Sequence, residues 1–133
     1  MLARFALGIA LLSATSVNAV SRTRIYVITA GKRAPQAENE LNARVRSQMR
    51  TELERRGAFV ADVVEYIDGT LPSAIVLRPS VEILPSALQL NVVGTRAGDQ
   101  KLLGTIFAKA SGSNRDAQVK ALVTRACAEA EQL

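Results

Sequence analysis

Leu88-Gln89-Leu90-Asn91-Val92 alternates apolar and polar side chains one by one. A strand turns successive side chains to opposite faces, so the pattern calls for a sheet buried on one face and wet on the other. Two more β-rich runs flank it, Ala74–Leu84 (AIVLRPSVEIL) and Lys101–Lys109 (KLLGTIFAK). The connections are short, Pro85-Ser86 on one side and Thr95–Gln100 on the other. Strands joined by such turns pair antiparallel with their chain neighbours, so the three runs form a meander. Pro79 interrupts the first run. Proline has no N–H for a ladder, so an edge position or a bulge is expected there.

The rest of the chain supplies two helices and two further strands. Ile25-Tyr26-Val27-Ile28 is continuously apolar and suits a central strand covered on at least one face. Gln36–Arg56 reads as a long helix behind Pro35, with Ala37, Leu41, Val45, Met49 and Leu53 as its apolar stripe. Glu40–Arg44, Arg50–Glu54 and Glu52–Arg56 are spaced for i,i+4 pairs on its outer side, and Gly57 follows as the stop. Ala58–Ile67 reads as a second strand and Asp68–Ser73 as a loop. Ser113 is the expected cap of a last helix whose buried side holds Val119, Leu122, Val123, Ala126, Cys127 and Ala130. The order β-α-β-β-β-β-α describes an α+β two-layer sandwich. Its mixed sheet has four or five strands, with both helices on one face. A strand–helix–strand unit of this kind pairs its first two strands in parallel.

Met1–Ala19 (MLARFALGIALLSATSVNA) has the layout of a secretory signal: Arg4, the apolar run Phe5–Leu12, then small residues up to Val17-Asn18-Ala19. The apolar run is well short of the roughly 20 residues that span a bilayer. Cleavage after Ala19 is expected, leaving residues 20–133 as a single periplasmic domain with no transmembrane segment. With no cysteine near that cut, a lipid anchor is not expected. The one cysteine, Cys127, cannot close an internal disulfide, so the exported domain relies on its core. One cysteine and no histidine also leave out the usual zinc sites and the Ser-His and Cys-His catalytic pairs.

Other chemistry meets similar obstacles. Gly31-Lys32 follows a strand, as in a phosphate-binding loop, but such a loop needs glycine at Tyr26 and Ser or Thr at Arg33. The segment reads as an ordinary strand-to-helix turn, and Lys32 and Arg33 are kept as a possible anion contact beside a helix N-terminus. Glu38 with Glu40 and Glu52 with Glu54 lie where arginines partner them. Asp62 and Glu65, three apart in a strand, face opposite sides. The five arginines Arg44, Arg46, Arg50, Arg55 and Arg56 alternate with glutamates, and only 4% of the chain is aromatic, which suits a solvated helix face better than a nucleic-acid ridge. The net charge of +5 keeps a second reading open, a binder of anionic cell-wall polymer or membrane surface. No cofactor and no enzymatic activity are expected.

The polar side of the meander remains. Gln89 and Asn91 turn away from the Leu88-Leu90-Val92 face. Arg78, Ser80, Glu82, Thr105 and Lys109 join them if the register allows. With both helices on the opposite face, this side is free to dock a partner through polar groups or at an exposed edge.

The run AIVLRPSVEILPSALQLNVVGTRAGDQKLLGTIFAKASG, from Ala74 to Gly112, follows a helix ending in Arg55-Arg56-Gly57-Ala58-Phe59-Val60 and precedes a terminal helix. In element order this resembles a group of bacterial envelope proteins: the amino-terminal domain of the Tol translocation protein B, the curli-secretion lipoprotein, and the lipoprotein activators of penicillin-binding proteins. The chain departs from them in lacking the lipidated cysteine of the lipoproteins and the propeller of the Tol protein. The resemblance implies a non-catalytic periplasmic module that binds an envelope protein or associates with itself.

Overall fold

The computed structural model describes residues 24–31, 34–63 and 69–133. The signal segment, with its cut after Ala19, and the Lys32-Arg33 contact lie outside the described residues. The elements are β1 (Ile25–Ile28), α1 (Gln36–Arg55), β2 (Phe59–Ala61), β3 (Ile75–Leu84), β4 (Ala87–Arg96), β5 (Leu102–Ser111) and α2 (Arg115–Ala130). They build one mixed sheet in the order β2-β1-β3-β4-β5. β1 runs parallel to both β2 and β3, and β3, β4 and β5 form the antiparallel meander.

Both helices lie on one face. Val45, Met49 and Leu53 of α1 and Val119, Leu122 and Ala126 of α2 share a core with Tyr26, Leu77, Val81, Leu88, Leu90, Val92, Ile106 and Ala108 of the sheet. Each fully buried Leu, Ile, Val or Met side chain contributes about 1.5–3 kcal/mol of transfer free energy, so this layer carries most of the stability. The Tyr26 hydroxyl is inside it and donates to the Ala130 carbonyl at 3.2 Å, tying β1 to the end of α2. Burial raises that phenol above its ordinary range. On the same face Gly94 and Gly104 pair across β4 and β5. A Cβ on either would come within 2.6 Å or 2.7 Å of a Leu133 methyl, so the two glycines form the notch that seats this side chain.

Helix boundaries follow from caps. The Ala58 N–H reaches back to the Leu53 carbonyl and the Gly57 N–H to that of Glu54, both at 3.0 Å. Gly57 sits at φ 93°, the left-handed geometry that ends a helix this way. At α2 the cap is Asn114 rather than the expected Ser113. Its Oδ1 accepts the Ala117 N–H at 3.0 Å, which is the third-position donor an N-cap must satisfy.

Three expectations need revision. β2 spans only Phe59–Ala61 instead of Ala58–Ile67; residues 64–68, Glu65 among them, lie outside the described residues. The sheet's second face is not open throughout. Val27, Ala61, Ala74 and Val76 form a small second core there with Ile25, Leu71 and Ala97, so β1 is covered on both sides. And β3, which carries Pro79, is an inner strand of the sheet and has no bulge there, since Pro79 pairs in register with Val92 of β4; the expected edge position is met only locally, past the end of β1.

The proline is tolerated because β3 is central only along its first part. β1 ends at Ile28, opposite Leu77, and beyond it the other side of β3 has no strand neighbour among the described residues. The Leu77 carbonyl on that side still accepts the Thr29 N–H at 3.0 Å. Two residues on, Pro79 has no N–H to present. Next in the alternation, the Val81 N–H donates to Asn42 Oδ1 at 2.7 Å and the Ile83 N–H to Glu38 Oε2 at 2.9 Å. Two side chains of α1 thus take the place of a missing strand and close a half-edge that would otherwise be a template for aggregation.

Candidate docking face

The register of the meander decides where the predicted polar residues go. Glu82 lies opposite Gln89, and Gln89 opposite Lys109. Arg78 lies opposite Val93, and Val93 opposite Thr105. Between these rows runs a third, Ser80–Asn91–Phe107. Residues opposite one another across a sheet share a face. Arg78, Glu82, Gln89, Asn91, Thr105 and Lys109 therefore converge on one patch of the face away from the helices.

The patch holds two apolar residues beside the predicted polar ones. Phe107 is 51% exposed and Val93 37% exposed, and both stand among the polar rows. A large ring half in water costs free energy that a polar residue would not, so exposed apolar side chains bordered by polar groups have the composition of a recognition surface. The signal was present in the sequence: Phe107 has the same parity as Thr105 and Lys109. Arg78 is anchored within the patch, where its Nη1 donates to Thr95 Oγ1 at 3.2 Å across β4. At one end the patch meets the small second core under Leu71 and Ala97. On the other side it runs out to β5, the sheet's long edge.

The charged residues of the helices are largely occupied with one another. Arg44 was expected to pair with Glu40; it bridges to Asp116 of α2 instead, across a groove of about 460 Å³ lined also by Gln48 and Lys120. Arg50 does meet Glu54, at 3.6 Å, and also Asp62 at 3.5 Å. Glu52 takes both Arg55, at 2.6 Å, and Arg56, at 2.7 Å, and Arg56 reaches on to Glu131 at 2.8 Å. These hydrogen bonds from the two guanidinium groups hold the Glu52 carboxyl down at about 2. Arg96 and the Lys101 N–H likewise hold Asp99 well below the usual carboxylate range and fasten the β4–β5 turn. Cys127 is fully buried, and burial pushes its thiol up to about 12, the behaviour of a packing residue. Among the described residues, no three His, Cys, Asp or Glu side chains gather as metal ligands, and no helix is long and apolar enough to cross a membrane.

No family model and no curated protein matches the chain. Solved structures do. The lipoprotein GNA1162 from Neisseria meningitidis superposes with a TM-score of 0.51 at 15% identity, over 83% of this chain and 97% of that one. The PelC dodecamer from Paraburkholderia phytofirmans gives 0.52 at 14% identity, over 80% of this chain and 83% of that one. At this identity the likeness shows the fold, a small α/β domain shared with a bacterial lipoprotein. It does not single out the Tol or curli branches of the group that the sequence resembles.

Proposed function

We propose that this protein is an exported, non-catalytic accessory or adaptor of the bacterial cell envelope, working in the periplasm and without a cofactor. It binds a protein partner on the face of β3–β5 opposite the helices. One observation carries the reading: three cross-strand rows set Phe107, on the edge strand, and Val93, both solvent-exposed, beside Arg78, Glu82, Gln89, Asn91, Thr105 and Lys109. The exposed ring supplies the apolar anchor and the polar side chains supply selectivity. The fold's occurrence in a Neisseria lipoprotein and in a protein crystallised as a dodecamer supports an envelope role built on contacts between proteins. The polymer-binding alternative draws less support, because Arg44, Arg50, Arg55 and Arg56 are already spent on carboxylates.

The test is partner capture from envelope extracts by wild type, by Phe107→Ser and by the double variant Gln89→Ala/Asn91→Ala. All three should melt alike, since the altered side chains are exposed or half-exposed. Loss of an anchor typically costs 2 kcal/mol or more, so Phe107→Ser should weaken capture by roughly thirtyfold and the double variant by less. Identical capture by all three would remove the face from consideration. Capture that vanishes between low and moderate salt, whichever side chain is changed, would favour the polymer reading.

A further inference from the structure

We infer that the outer edge of β5 pairs antiparallel with β5 of a second copy, about a two-fold axis at Phe107. The inference goes beyond the docking face, because it concerns backbone groups at the rim and a different partner. It starts from the alternation already set at the far side of the meander. Val81 and Ile83 turn their N–H groups away from β4, toward α1. The even-numbered residues of β3 are then the ones bonded to β4, through Gln89, Asn91 and Val93. Those β4 residues lie opposite Lys109, Phe107 and Thr105 and have no groups left for them. Ladder bonding to β5 falls instead to Leu90 with Ala108 and Val92 with Ile106. So Thr105, Phe107 and Lys109 direct both N–H and C=O outward.

This rim lacks the protections found elsewhere in the sheet. β2 is only three residues long, and the half-edge of β3 is closed by Pro79, Asn42 and Glu38. β5 is ten residues long, and from Gly104 to Ser111 it has no proline, no irregularity in its pairing with β4 and a single charge, Lys109. α2 lies over β5 and β4 together on the helix face. Long, regular edges of this kind are the ones that recruit another strand.

The side chains select the occupant and the register. Only registers pairing odd with odd residues keep the two docking faces on the same side. A two-fold at Lys109 would oppose Lys109 to its own copy, and one at Thr105 would oppose Lys109 to Lys101. Among two-folds centred on an outward-facing residue, the one at Phe107 lies nearest the middle of the strand and preserves the longest ladder. It sets the two exposed rings side by side and places each Lys109 opposite the Thr105 of the other copy, away from like charge. The product is a continuous ten-stranded sheet, and the two docking patches merge into one surface.

Sedimentation velocity of the purified protein over a concentration series, with hydrogen exchange at each concentration, tests this. A monomer–dimer equilibrium is expected. The Thr105, Phe107 and Lys109 amides should gain protection with concentration, while Ile106 and Ala108 stay protected throughout. Two exposed-residue variants test the register. Thr105→Glu sets opposite charges across the two-fold twice and should tighten the dimer several-fold. Thr105→Lys opposes like charges and should loosen it by a similar factor, since like charges directly opposite one another destabilise a strand pair. A protein that stays monomeric at a hundred micromolar would overturn the inference. So would a dimer whose outward amides exchange independently of concentration, or equal effects of the two variants. None of these results depends on whether envelope partners bind Phe107, which the capture experiment reads separately.

Discussion

Asn42→Ala isolates the device that lets β3 run past the end of β1. The Asn42 side chain is 6% exposed, and its Oδ1 accepts the Val81 N–H at 2.7 Å. Val81 itself is 3% exposed, so no solvent stands ready to replace the lost acceptor. Leaving a buried N–H without a partner costs about 1–3 kcal/mol. For a domain of this size 1 kcal/mol corresponds to about 4 °C in Tm, so the variant should melt about 8 °C below wild type. The urea midpoint should fall with the m-value unchanged, because the surface exposed on unfolding is the same. Hydrogen exchange adds a local readout. The Val81 amide should lose more protection than the Leu90 amide, which is held in the β4–β5 ladder. A variant within 2 °C of wild type, with Val81 as protected as before, would refute the claim that α1 closes the edge.

Four further outcomes are expected. Glu38→Ala removes the neighbouring acceptor of the Ile83 N–H, in a partly buried setting, and should cost about 1 kcal/mol by urea titration. Leu122→Asp places a charge at a site 1% exposed in the core, so a thermal melt should show loss of the folded state. Glu52 is held at about 2 in the folded protein, below its ordinary value of 4.5, so its contribution to stability is complete above that value and is lost as pH falls toward 2. Acid titration of Glu52→Gln should therefore be flatter than wild type across this window. Cys127 should resist a thiol reagent at pH 8 in the native protein and react at once in denaturant, as its burial and raised pKa require.

Much of the architecture was legible in the sequence because it rests on periodicity. The alternation at Leu88–Val92, the four-residue spacing from Leu41 to Leu53 and the stripe from Val119 to Ala130 each report a face, and each was found on the expected face. The candidate patch was legible for the same reason. Once the turns fix the register, parity alone brings Glu82, Gln89 and Lys109 into one row. What escaped depended on contacts between distant segments. Asn42 reads as an ordinary polar helix residue until Val81, thirty-nine residues away, is seen to need an acceptor. Arg44 had a local partner at the right spacing, yet Asp116 on the other helix displaced it. Leu71 and Ala97 look like loop residues, and only the folded sheet makes them the cover over Val27 and Val76. Phe107 shares the parity of Thr105 and Lys109, so the alternation places it on the outer face although aromatic side chains are more often buried.

The central claim is that the working surface lies on the face away from the helices. Photocrosslinking in intact cells tests it most directly, with a photoreactive phenylalanine analogue at Asn91, in the middle of the patch, and at Thr124, exposed on the helix layer. Adducts to an envelope protein at position 91, with none at position 124, are expected. Adducts at 124 with none at 91 would put the working surface on the helices and contradict the account.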